Sequence, residues 1–349
     1  MTSDDFRKLP EYENHHLVKL LRDEEVGMEA FVAIHRKNHS VPSFGATRFW
    51  HYTTDVEGLR DALRLSRLMS YKAALAGLPC GGAKAVILDK ANPGVQREEI
   101  LSAYARSISD LRYDFITGTD VGVRQEDLLL MKRETPNIVG FNDNSTEFTS
   151  LGIYYALAPA LNEVFSSPSI EGRTFAIQGL GKIGSGFIAS LVGKAEKIFA
   201  CDISPSAVVR IQTLYPEIVM VSPEEIHKMK VDVYAPCAMG GALNSTTIPE
   251  LSCSIVVGGA NNQLEHEEDG DALHARGILY APDFVVNAGG LIAVFDEYEN
   301  PTYDRNRVER KILAIGDRLA SIISQSKREN RPTNRISNAL AEEIFNSYA

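Results

Sequence analysis

Residues 174–187 read TFAIQGLGKIGSGF, and this stretch decides the fold. The apolar run TFAIQ predicts a buried strand, the glycines form the pattern GxGxxG, and a helix is expected to follow. In such a unit the first glycine permits a tight turn, the second lets a pyrophosphate approach the backbone, and the third lets helix and strand pack closely. The stretch therefore predicts a dinucleotide-binding loop, whose residues are Gly179, Gly181, Lys182, Ile183 and Gly184.

An acidic residue distinguishes the two nicotinamide dinucleotides. Asp202 ends the next predicted strand, about 20 residues after the glycines, where a carboxylate can accept hydrogen bonds from the adenine ribose. It would repel the 2′-phosphate of NADP, and the following segment ISPSAVV offers no arginine to compensate. NAD is therefore the expected cofactor, although Lys182 could partly offset the repulsion. Asp202 could instead be only a solvated residue at a strand end.

Short apolar strands alternate with helices from residue 149 onward, which is typical of a parallel sheet covered by helices. The predicted strands are TFAIQ, KIFACD, VDVYAP, SIVVGGA and GILYAP, and the C-terminal stretch predicts two helices broken at Pro332. The polar segment NDNST near residues 142–149 marks a domain boundary. We expect an α/β protein in which residues 149–329 form a Rossmann domain and residues 1–148, with a last helix at 330–349, form a second, mixed α/β domain.

The first domain carries the residues that suggest chemistry. After a charged start that we expect to be helical, MEAFVAIHRK and SFGATRFWHY predict strands, and residues 55–77 repeat apolar residues at helical spacing. The stretch MSYKAALAGLPCGGAKAVIL then places Lys72 near the helix end and Lys84 at the start of a strand. A second helix, REEILSAYARSISDL, leads to FITGTD, which ends in Asp120.

A pair of lysines in one glycine-rich stretch can divide two tasks. A lysine ammonium holds a carboxylate as a point charge, and the pKa of a lysine falls readily when it is buried beside another cation. One lysine can therefore bind a substrate and the other can act as a base near neutral pH. The alternative is that Lys72 is a solvated helix end and Lys84 a solvated turn, but Gly81 and Gly82 are typical of a turn that approaches a ligand closely.

Composition excludes several classes. The net charge of −10 argues against non-specific nucleic-acid binding. Four scattered cysteines without a CxxC pair indicate buried thiols, and the N-terminus lacks the features of a secretory signal, so we expect a cytoplasmic protein. The long apolar segment at 277–295 contains Pro282, Asp283 and Asn287, and we interpret it as a strand, a turn and the start of a helix rather than a membrane span. No HExxH or comparable metal-binding pattern is present, so no metal is expected.

Eight blocks in order and spacing resemble the leucine, phenylalanine, valine and tryptophan dehydrogenases, within the wider glutamate dehydrogenase superfamily. They are SFGATRF, MSYKAALAGLPCGGAKAVI, ITGTDVG, TSLGIY, QGLGKIG, DVYAPCAMGG, GGANNQL and ILYAPDFVVNAGG, and they cover nearly the whole chain. The resemblance implies a cleft between two domains, a homo-oligomer (dimer or octamer), and reversible NAD-dependent oxidative deamination of an L-amino acid.

The resemblance also implies roles for individual residues. Lys72 would bind the substrate α-carboxylate with help from backbone around Gly45, Lys84 would be the general base, and Asp120 would relay protons to and from the amine. Thr149 would hydrogen-bond the nicotinamide carboxamide, and Ala235, Pro236 and Cys237 would line the ribose side of the cofactor site. Asn261, Asn262 and Asn287 would lie between the nicotinamide and the substrate, with Asn262 on the substrate side. Each asparagine could instead be a turn residue, and Cys237 is expected to serve packing.

The residues expected around the substrate side chain are apolar. Glutamate dehydrogenases carry a lysine at the position aligned with Phe44 and a small polar residue at that of Val294, so a glutamate side chain would find no partner here. Burying an uncompensated carboxylate is too costly, which favours a bulky apolar substrate. The expected wall is Phe44, Met69, Leu291 and Val294, with Gly118 and Thr119 at its base. One methylene in such a pocket is worth only ~1 to 3 kcal/mol, so aliphatic and aromatic substrates both remain open.

Other functions are less compatible with these residues. A hydroxy-acid dehydrogenase would need a histidine or arginine pair in the first domain, and none of the eight histidines falls in a block that resembles a site. A non-catalytic NAD-binding sensor that has kept the fold is the remaining alternative. The intact Lys72, Lys84 and Asp120 argue against it.

Overall fold

The computed structural model describes residues 5–90, 94–111, 113–142 and 144–347. They divide into two compact units. The first unit comprises the described residues of Met1–Asp143, Glu297–Pro301 and Ala341–Ala349, and the second comprises those of Asn144–Asp296 and Thr302–Leu340.

The first unit is a mixed sheet with helices. Its helices and strands are a 3-10 helix Asp5–Lys8, β1 (Leu17–Asp23), β2 (Met28–Ile34), β3 (Ser43–Phe44), β4 (Thr47–Trp50), α1 (Asp55–Leu75), β5 (Ala83–Leu88), α2 (Arg97–Ser109), β6 (Phe115–Ile116) and α3 (Gln125–Met131). The sheet order is β1-β2-β5-β4, with β4 parallel to β5 and the other pairs antiparallel. Strands β3 and β6 form a separate parallel pair. The strand that carries Lys84 is therefore a central strand.

The expectation of a helical start is wrong for residues 17–23. These residues form β1, which pairs with β2 so that Leu21 lies opposite Ala30. The charges that suggested a solvated helix belong to an edge strand, where only Leu21 is buried. A second difference concerns SFGATRFWHY, which the structure divides into β3 and β4 around Gly45. A Cβ on Gly45 would lie 2.2 Å from the Ala83 carbonyl oxygen, so only glycine lets the chain pass so close to β5.

Helix α1 forms where the sequence predicts it and packs on the sheet. Thr54 and Glu57 close a capping box at its N-terminus, and Gly77 follows its end with φ of 70°. Leu59, Ala62 and Leu63 are buried. Leu68 and Met69, which share the helical pattern, are only partly buried. Leu68 and Met69 therefore mark a partly exposed position on α1, whereas most residues of its last turn are buried.

The second unit is a six-stranded parallel sheet with helices. Its elements are α4 (Ser145–Phe165), β7 (Thr174–Gln178), α5 (Lys182–Leu191), β8 (Lys197–Cys201), α6 (Pro205–Leu214), β9 (Val219–Met220), β10 (Val231–Pro236), β11 (Cys253–Val256), α7 (Asp269–Ala275), β12 (Leu279–Tyr280), α8 (Asp283–Val286), α9 (Gly289–Glu299), α10 (Arg305–Glu329) and α11 (Thr333–Asn346). The strand order is β12-β11-β10-β7-β8-β9. All five predicted strands are confirmed, and the two-residue β9 was not predicted.

The order in which the chain adds strands to this sheet reverses at β7. The chain leaves β7 for β8 on one side and returns to β10 on the other, and β7 pairs in parallel with both. In open α/β sheets ligands bind at such a switch point, outside the carboxyl ends of the strands. The glycine loop at 179–184 follows β7 directly. The fold therefore places the predicted dinucleotide loop where a doubly wound sheet binds its ligand.

The C-terminal and apolar segments also follow the sequence pattern. The predicted break at Pro332 is confirmed, since α10 ends at Glu329, Asn330 has a φ of 50°, and α11 begins at Thr333. The apolar segment 277–295 forms β12, the short α8 and the first residues of α9. Among the described residues, no helix is long and apolar enough to cross a membrane. By chain position, α9 and α11 each contribute residues to both units.

A buried histidine pair in the first unit sets a pH dependence of stability. The rings of His15 and His35 lie 4.9 Å apart, and His35 is 1% exposed. Neither ring nitrogen of His35 has a hydrogen-bond partner in the described part of the chain. Burial lowers the pKa of His15 to about 4 and that of His35 to about 2. Both therefore stay neutral in the folded protein at pH 5.

We expect acid to destabilise the protein below the unfolded-state pKa of about 6.5. Between pH 6 and pH 4.5 the unfolded chain takes up protons on both histidines that the folded chain refuses, so the unfolding free energy falls by up to about 2.7 kcal/mol per pH unit. Urea unfolding at pH 7 and pH 5 measures this. The variant His35→Gln should lose about half of the slope. An identical slope in the variant would show that His35 does not contribute.

Candidate active site

Lys84 and Asp120 form a buried ion pair. Lys84 lies on β5, where it is 5% exposed, and its Nζ is 2.7 Å from Oδ2 of Asp120. Asp120 belongs to the loop after β6, 36 residues later in the sequence. The first unit thus brings together the two residues that the sequence proposes as catalytic.

Burial and neighbouring charges set the protonation of this pair. Burial is the largest influence on Lys84 and lowers its pKa, Arg48 adds to this, and Asp120 opposes it without reversing it. For Asp120, burial would raise the pKa, but the cations Lys84 and Arg48 outweigh burial and hold it below its usual range. A lysine that gives up its proton more easily than usual therefore lies beside a carboxylate that stays ionised.

A tight turn brings Lys72 and Lys84 to one end of α1. The Gly82 N–H donates to Ser70 Oγ at 2.9 Å, and a Cβ on Gly82 would lie 1.9 Å from the Ser70 nitrogen. Lys84 is two residues after Gly82, and Lys72 is two residues after Ser70 and half-buried in the last turn of α1. The glycine pair therefore joins the strand that carries one lysine to the helix turn that carries the other.

Other predicted substrate residues of the first unit surround the start of β5. Phe44 is 1% exposed, and its backbone forms an isolated parallel β-bridge with Gly82. Gly45 approaches Ala83 closely. Thr119 bridges to Thr47, and the Gly118 carbonyl accepts from the Thr47 N–H at 3.0 Å. Met69 lies on α1, where its carbonyl carbon would be 2.4 Å from a Cβ on Gly82. The structure thus gathers Gly45, Phe44, Met69, Gly118 and Thr119 near Lys84.

The glycine loop of the second unit has the geometry that its spacing predicts. Gly179 has a φ of 102°, which favours glycine. Gly181 is the N-cap of α5, and a Cβ there would meet nothing within 4 Å. A Cβ on Gly184 would lie 2.0 Å from the Gly179 carbonyl oxygen. The three glycines therefore provide the turn, the open approach and the close packing that a dinucleotide loop needs.

A cavity of about 470 Å³ lies beside this loop. Its lining residues are Leu180, Gly181, Lys182, Ser185, Asp202, Ser204, Ser206, Ala207 and Arg210. Asp202 accepts from the Leu180 N–H at 2.6 Å and from the Ser204 N–H at 2.8 Å. These two bonds fix the carboxylate at the mouth of the loop.

Arg210 is a residue of this cavity that the sequence analysis missed. Its guanidinium donates to the Leu180 carbonyl at 2.6 Å and to Ser185 Oγ at 3.2 Å. The segment after Asp202 does lack an arginine as far as Val209, but α6 brings the next residue back to the loop. Arg210 lies one helical turn after Ala207, which also lines the cavity, and this periodicity was the available signal.

The residues predicted around the nicotinamide lie in α4, in the segment after β11 and just before α9. Asn287 Nδ2 donates to Asn261 Oδ1 at 2.9 Å, and the buried Asn287 Oδ1 has no hydrogen-bond partner among the described residues. Asn262 has a φ of 53°, and its N–H donates to Asp283 Oδ2 at 2.7 Å. Thr149 Oγ1 donates to the Ser145 carbonyl at 2.9 Å. Asn287 thus presents a buried acceptor.

The residues predicted for the ribose side lie at the end of strand β10. Ala235 and Pro236 pair with the last two residues of β7, next to the glycine loop. Cys237 accepts a hydrogen bond from the Gly259 N–H at 3.4 Å, and burial raises the pKa of its thiol to about 11. The thiol therefore packs as a protonated group. Leu291 and Val294 lie on α9, where Leu291 is buried and Val294 half-buried.

A doubly wound sheet with this glycine loop, joined to a unit that holds a buried lysine–aspartate pair, defines a nicotinamide-dependent dehydrogenase. Residues 13–137 match a family model described as the dimerisation domain of Glu/Leu/Phe/Val dehydrogenases. Residues 202–343 match the model of the glutamate/leucine/phenylalanine/valine dehydrogenases.

This chain is also similar to individual dehydrogenases over nearly its whole length. The chain is 39% identical to an L-tryptophan dehydrogenase of Nostoc punctiforme, covering 95% of this chain and 94% of that protein. It is 36% identical to a leucine dehydrogenase of Bacillus cereus, covering 98% and 94%. The crystal structure of L-tryptophan dehydrogenase from Nostoc punctiforme matches with a TM-score of 0.83 at 38% identity, covering 96% of each chain.

The chain belongs to the glutamate, leucine, phenylalanine and valine dehydrogenase family. It is an amino-acid dehydrogenase, and its cofactor is NAD. The comparisons give no support to a non-catalytic sensor.

Asp202 is expected to exclude NADP by charge. In Asp202→Asn the side chain keeps its volume and one accepting oxygen but loses the charge that repels a 2′-phosphate, while Arg210 and Lys182 remain nearby. We expect the affinity for NADP⁺ to rise about tenfold or more, since like charges brought together cost several kcal/mol. Calorimetric titration with NAD⁺ and NADP⁺ measures this.

The double variant Asp202→Asn/Arg210→Gln is the control for that experiment. It should lose most of the gain, because the cation that would face the phosphate is gone. An unchanged NADP⁺ affinity in Asp202→Asn would show that Asp202 does not determine cofactor choice.

Proposed function

We propose that this protein catalyses the reversible oxidative deamination of a bulky apolar L-amino acid to the 2-oxo acid and ammonia. The observation that carries this proposal is the 2.7 Å contact between Lys84 and Asp120 in a buried setting. Bound NAD⁺ supplies the hydride acceptor. The residues of this chain must then hold the amino acid, activate a water and move protons.

Lys84 acts as the general base. Once the Cα–H has left as hydride, the substrate is an iminium. Neutral Lys84 takes a proton from a water, and the water oxygen bonds to the substrate carbon to give a carbinolamine. The lowered pKa of Lys84 increases the neutral fraction of the amine, which this step requires.

Asp120 moves protons at the nitrogen. It accepts a proton from the substrate ammonium before hydride departure and returns one to the carbinolamine nitrogen. The C–N bond then breaks with its electron pair going to nitrogen, ammonia leaves, and the carbinolamine hydroxyl becomes the oxo group as its proton passes to Asp120, which is by then ionised again. Ionised Asp120 suits the accepting step, because Lys84 and Arg48 hold its pKa low.

Lys72 binds the α-carboxylate as a point charge. Its position in the last turn of α1, two residues from the contact that joins α1 to the turn before β5, supports this role. Backbone around Gly45 assists. Separate lysines for binding and for base chemistry let one stay charged while the other is neutral.

The residues of the second unit fit NAD. Gly179, Gly181, Lys182, Ile183 and Gly184 hold the pyrophosphate, and Asp202 holds the adenine ribose. Asn287 Oδ1, a buried acceptor without a partner among the described residues, suits the amide N–H of the carboxamide. Completing this group are Thr149, Ala235, Pro236, Cys237 and Asn261.

The substrate side chain is apolar. Phe44 is buried where a glutamate-specific enzyme would need a cation, and Met69, Leu291 and Val294 offer no charge to a second carboxylate. Gly118, Thr119 and Asn262 complete the substrate group. Named relatives act on both kinds of apolar substrate, since one is an L-tryptophan dehydrogenase and another a leucine dehydrogenase.

Assembly follows from the same family relation. Residues 13–137 match a model described as a dimerisation domain, so we propose a homo-oligomer, either a dimer or an octamer, without nucleic-acid or membrane partners. Light scattering coupled to size exclusion distinguishes these two states from a monomer.

A substrate panel tests the reaction. With NAD⁺ at pH 9 to 10, NADH formation is expected from at least one of leucine, valine, phenylalanine and tryptophan. Glutamate should be slower by at least about a hundredfold, because its side-chain carboxylate would be buried without a partner. Turnover of glutamate alone would contradict the apolar assignment, and NAD binding with a silent panel would favour the non-catalytic sensor.

Removing the base tests the mechanism. Lys84→Ala is expected to lower kcat by about 10²- to 10⁴-fold, the usual contribution of a positioned base, with NAD⁺ affinity unchanged. Asp120→Asn should cause a loss of similar size. Lys19→Ala, which removes an exposed lysine from β1 of the same unit, is the control. Near-wild-type kcat in Lys84→Ala would remove Lys84 from the mechanism.

A further inference from the structure

Asp120 has a second cationic partner besides Lys84. Arg48 of β4 donates through Nε to Oδ2 of Asp120 at 2.9 Å, and Lys84 contacts the same oxygen at 2.7 Å. A carboxylate held on one oxygen from two directions has little freedom to rotate. Arg48 therefore contacts the ion pair without being one of the residues that the sequence analysis singled out.

Arg48 also has a second anionic partner. Its Nη1 lies 2.5 Å from Oδ2 of Asp61 on α1. Asp61 is itself held by the Tyr52 hydroxyl, which donates to Oδ2 at 2.7 Å, and by Arg64, which donates to Oδ1 at 2.6 Å. The planar guanidinium thus bridges two carboxylates through two separate nitrogens, Nε and Nη1, which the single Nζ of a lysine cannot do. The charges alternate along the chain Lys84, Asp120, Arg48 and Asp61.

Backbone contacts fix this bridge on both sides of Arg48. The Thr47 N–H donates to the Gly118 carbonyl, and the Phe49 N–H donates to the Val121 carbonyl, each at 3.0 Å. Gly122 has a φ of 82°, and a Cβ there would lie 1.8 Å from the Phe49 carbonyl oxygen. Strand β4 therefore holds the loop that carries Asp120 at a fixed distance from the Arg48 side chain.

We propose that Arg48 and Asp61 are positioning residues for the reaction, and that together they set the proton affinity of the Lys84–Asp120 pair. Arg48 fixes the orientation of Asp120, and Asp61 offsets the positive charge that Arg48 places beside Lys84. This inference rests on the proposed function, because it assigns both residues a task in the same proton transfers.

The two charges act on Lys84 in opposite directions. The positive charge of Arg48 disfavours protonated Lys84, and the negative charge of Asp61 favours it. Asp61 is ionised, because Tyr52, Arg64 and Arg48 outweigh the effect of burial and hold its pKa low. Loss of Arg48 should therefore raise the Lys84 pKa, and loss of the Asp61 charge should lower it. The charged and titratable groups in this network are Lys84, Asp120, Arg48, Asp61, Tyr52 and Arg64.

If Arg48 and Asp61 had only a structural role, their variants would change stability and not the pKa of Lys84. If the bridge only stabilised the fold, Arg48→Gln and Asp61→Asn would both lower the melting temperature, and neither would move the pH at which Lys84 loses its proton. Shifts of opposite sign in the two variants cannot come from a common loss of stability. The sign of the shift is therefore the decisive readout.

The experiment compares wild type with Arg48→Gln and Asp61→Asn. The first readout is the pH profile of kcat/KM for deamination of the best panel substrate. The second needs no turnover: competitive acetylation with acetic anhydride across pH, quantified by mass spectrometry, gives the apparent pKa of the Lys84 amine. Arg60→Gln, which loses an ion pair with Glu11, and Asp55→Asn, which loses one with Lys90, are matched charge controls on α1.

The expected results differ in sign. Deamination requires neutral Lys84, so activity rises as pH passes upward through its pKa. In Arg48→Gln the acid limb should move to higher pH by about one unit, a roughly tenfold loss at a fixed pH on that limb. In Asp61→Asn the limb should move to lower pH. The acetylation midpoint should move in the same directions, and both controls should match wild type.

Arg48→Lys separates charge from geometry. It keeps the positive charge, so the acid limb should return toward its wild-type position. It loses the planar bridge, so kcat should remain reduced by about tenfold. This variant also keeps the test informative if Arg48→Gln does not fold.

Unmoved midpoints in both variants, or shifts of the same sign, would overturn the inference. Failure of the proposed function is recognised separately, as an inactive wild type with a normal NAD⁺ affinity. In that case the acetylation midpoints still decide whether Arg48 and Asp61 control the proton affinity of Lys84.

Discussion

The structure depends on burying a lysine beside a carboxylate. A buried charge without a partner is very costly, so Lys84 at 5% exposure constrains everything around it. Asp120 must lie within contact distance, the turn through Gly81 and Gly82 must hold β5 against α1, and Gly45 must pass close to Ala83. The same burial that demands a partner also lowers the Lys84 pKa, which suits the general base that we propose. The energetic cost of burying Lys84 and the lowering of its pKa therefore have the same physical origin.

The charges beyond this pair extend the same principle. Arg48 clamps Asp120, and Asp61 balances Arg48, so each half-buried charge in the network meets an opposite one. Such a chain keeps the pair oriented before the substrate arrives, which reduces the reorganisation that proton transfer requires. In the second unit, backbone N–H groups rather than charged side chains hold the Asp202 carboxylate in place. Two N–H groups hold it beside the glycine loop, an arrangement that suits the dinucleotide binding that we propose.

Features with a local signal could be predicted from the sequence. The glycine loop, the parallel strands of the second unit, α1 with its cap and the break at Pro332 each follow from the order of residues within about 20 positions. The fold class and the lysines followed from such patterns and from resemblance. The sequence alone could not distinguish the edge strand β1 from a charged helix, because β1 is defined by its pairing with β2. Arg48 and Arg210 were missed because their partners Asp120 and Leu180 are distant in sequence and are met only through packing. Asp61 was missed because its contact with Arg48 matters only once Arg48 meets Asp120.

We propose that Lys84 is the base that activates water against the iminium formed when a hydride leaves Cα of an apolar amino acid, so that repeated turnover requires Lys84. The most direct test is mass spectrometry of the reduced cofactor formed from NAD⁺ and a mixture of leucine, valine, phenylalanine and tryptophan deuterated at Cα. Over many turnovers the wild type is expected to form one deuterated reduced cofactor for each 2-oxo acid, and Lys84→Ala is expected to form about 10²- to 10⁴-fold less of both in the same time. Reduced cofactor without deuterium, or equal transfer by Lys84→Ala, would contradict it.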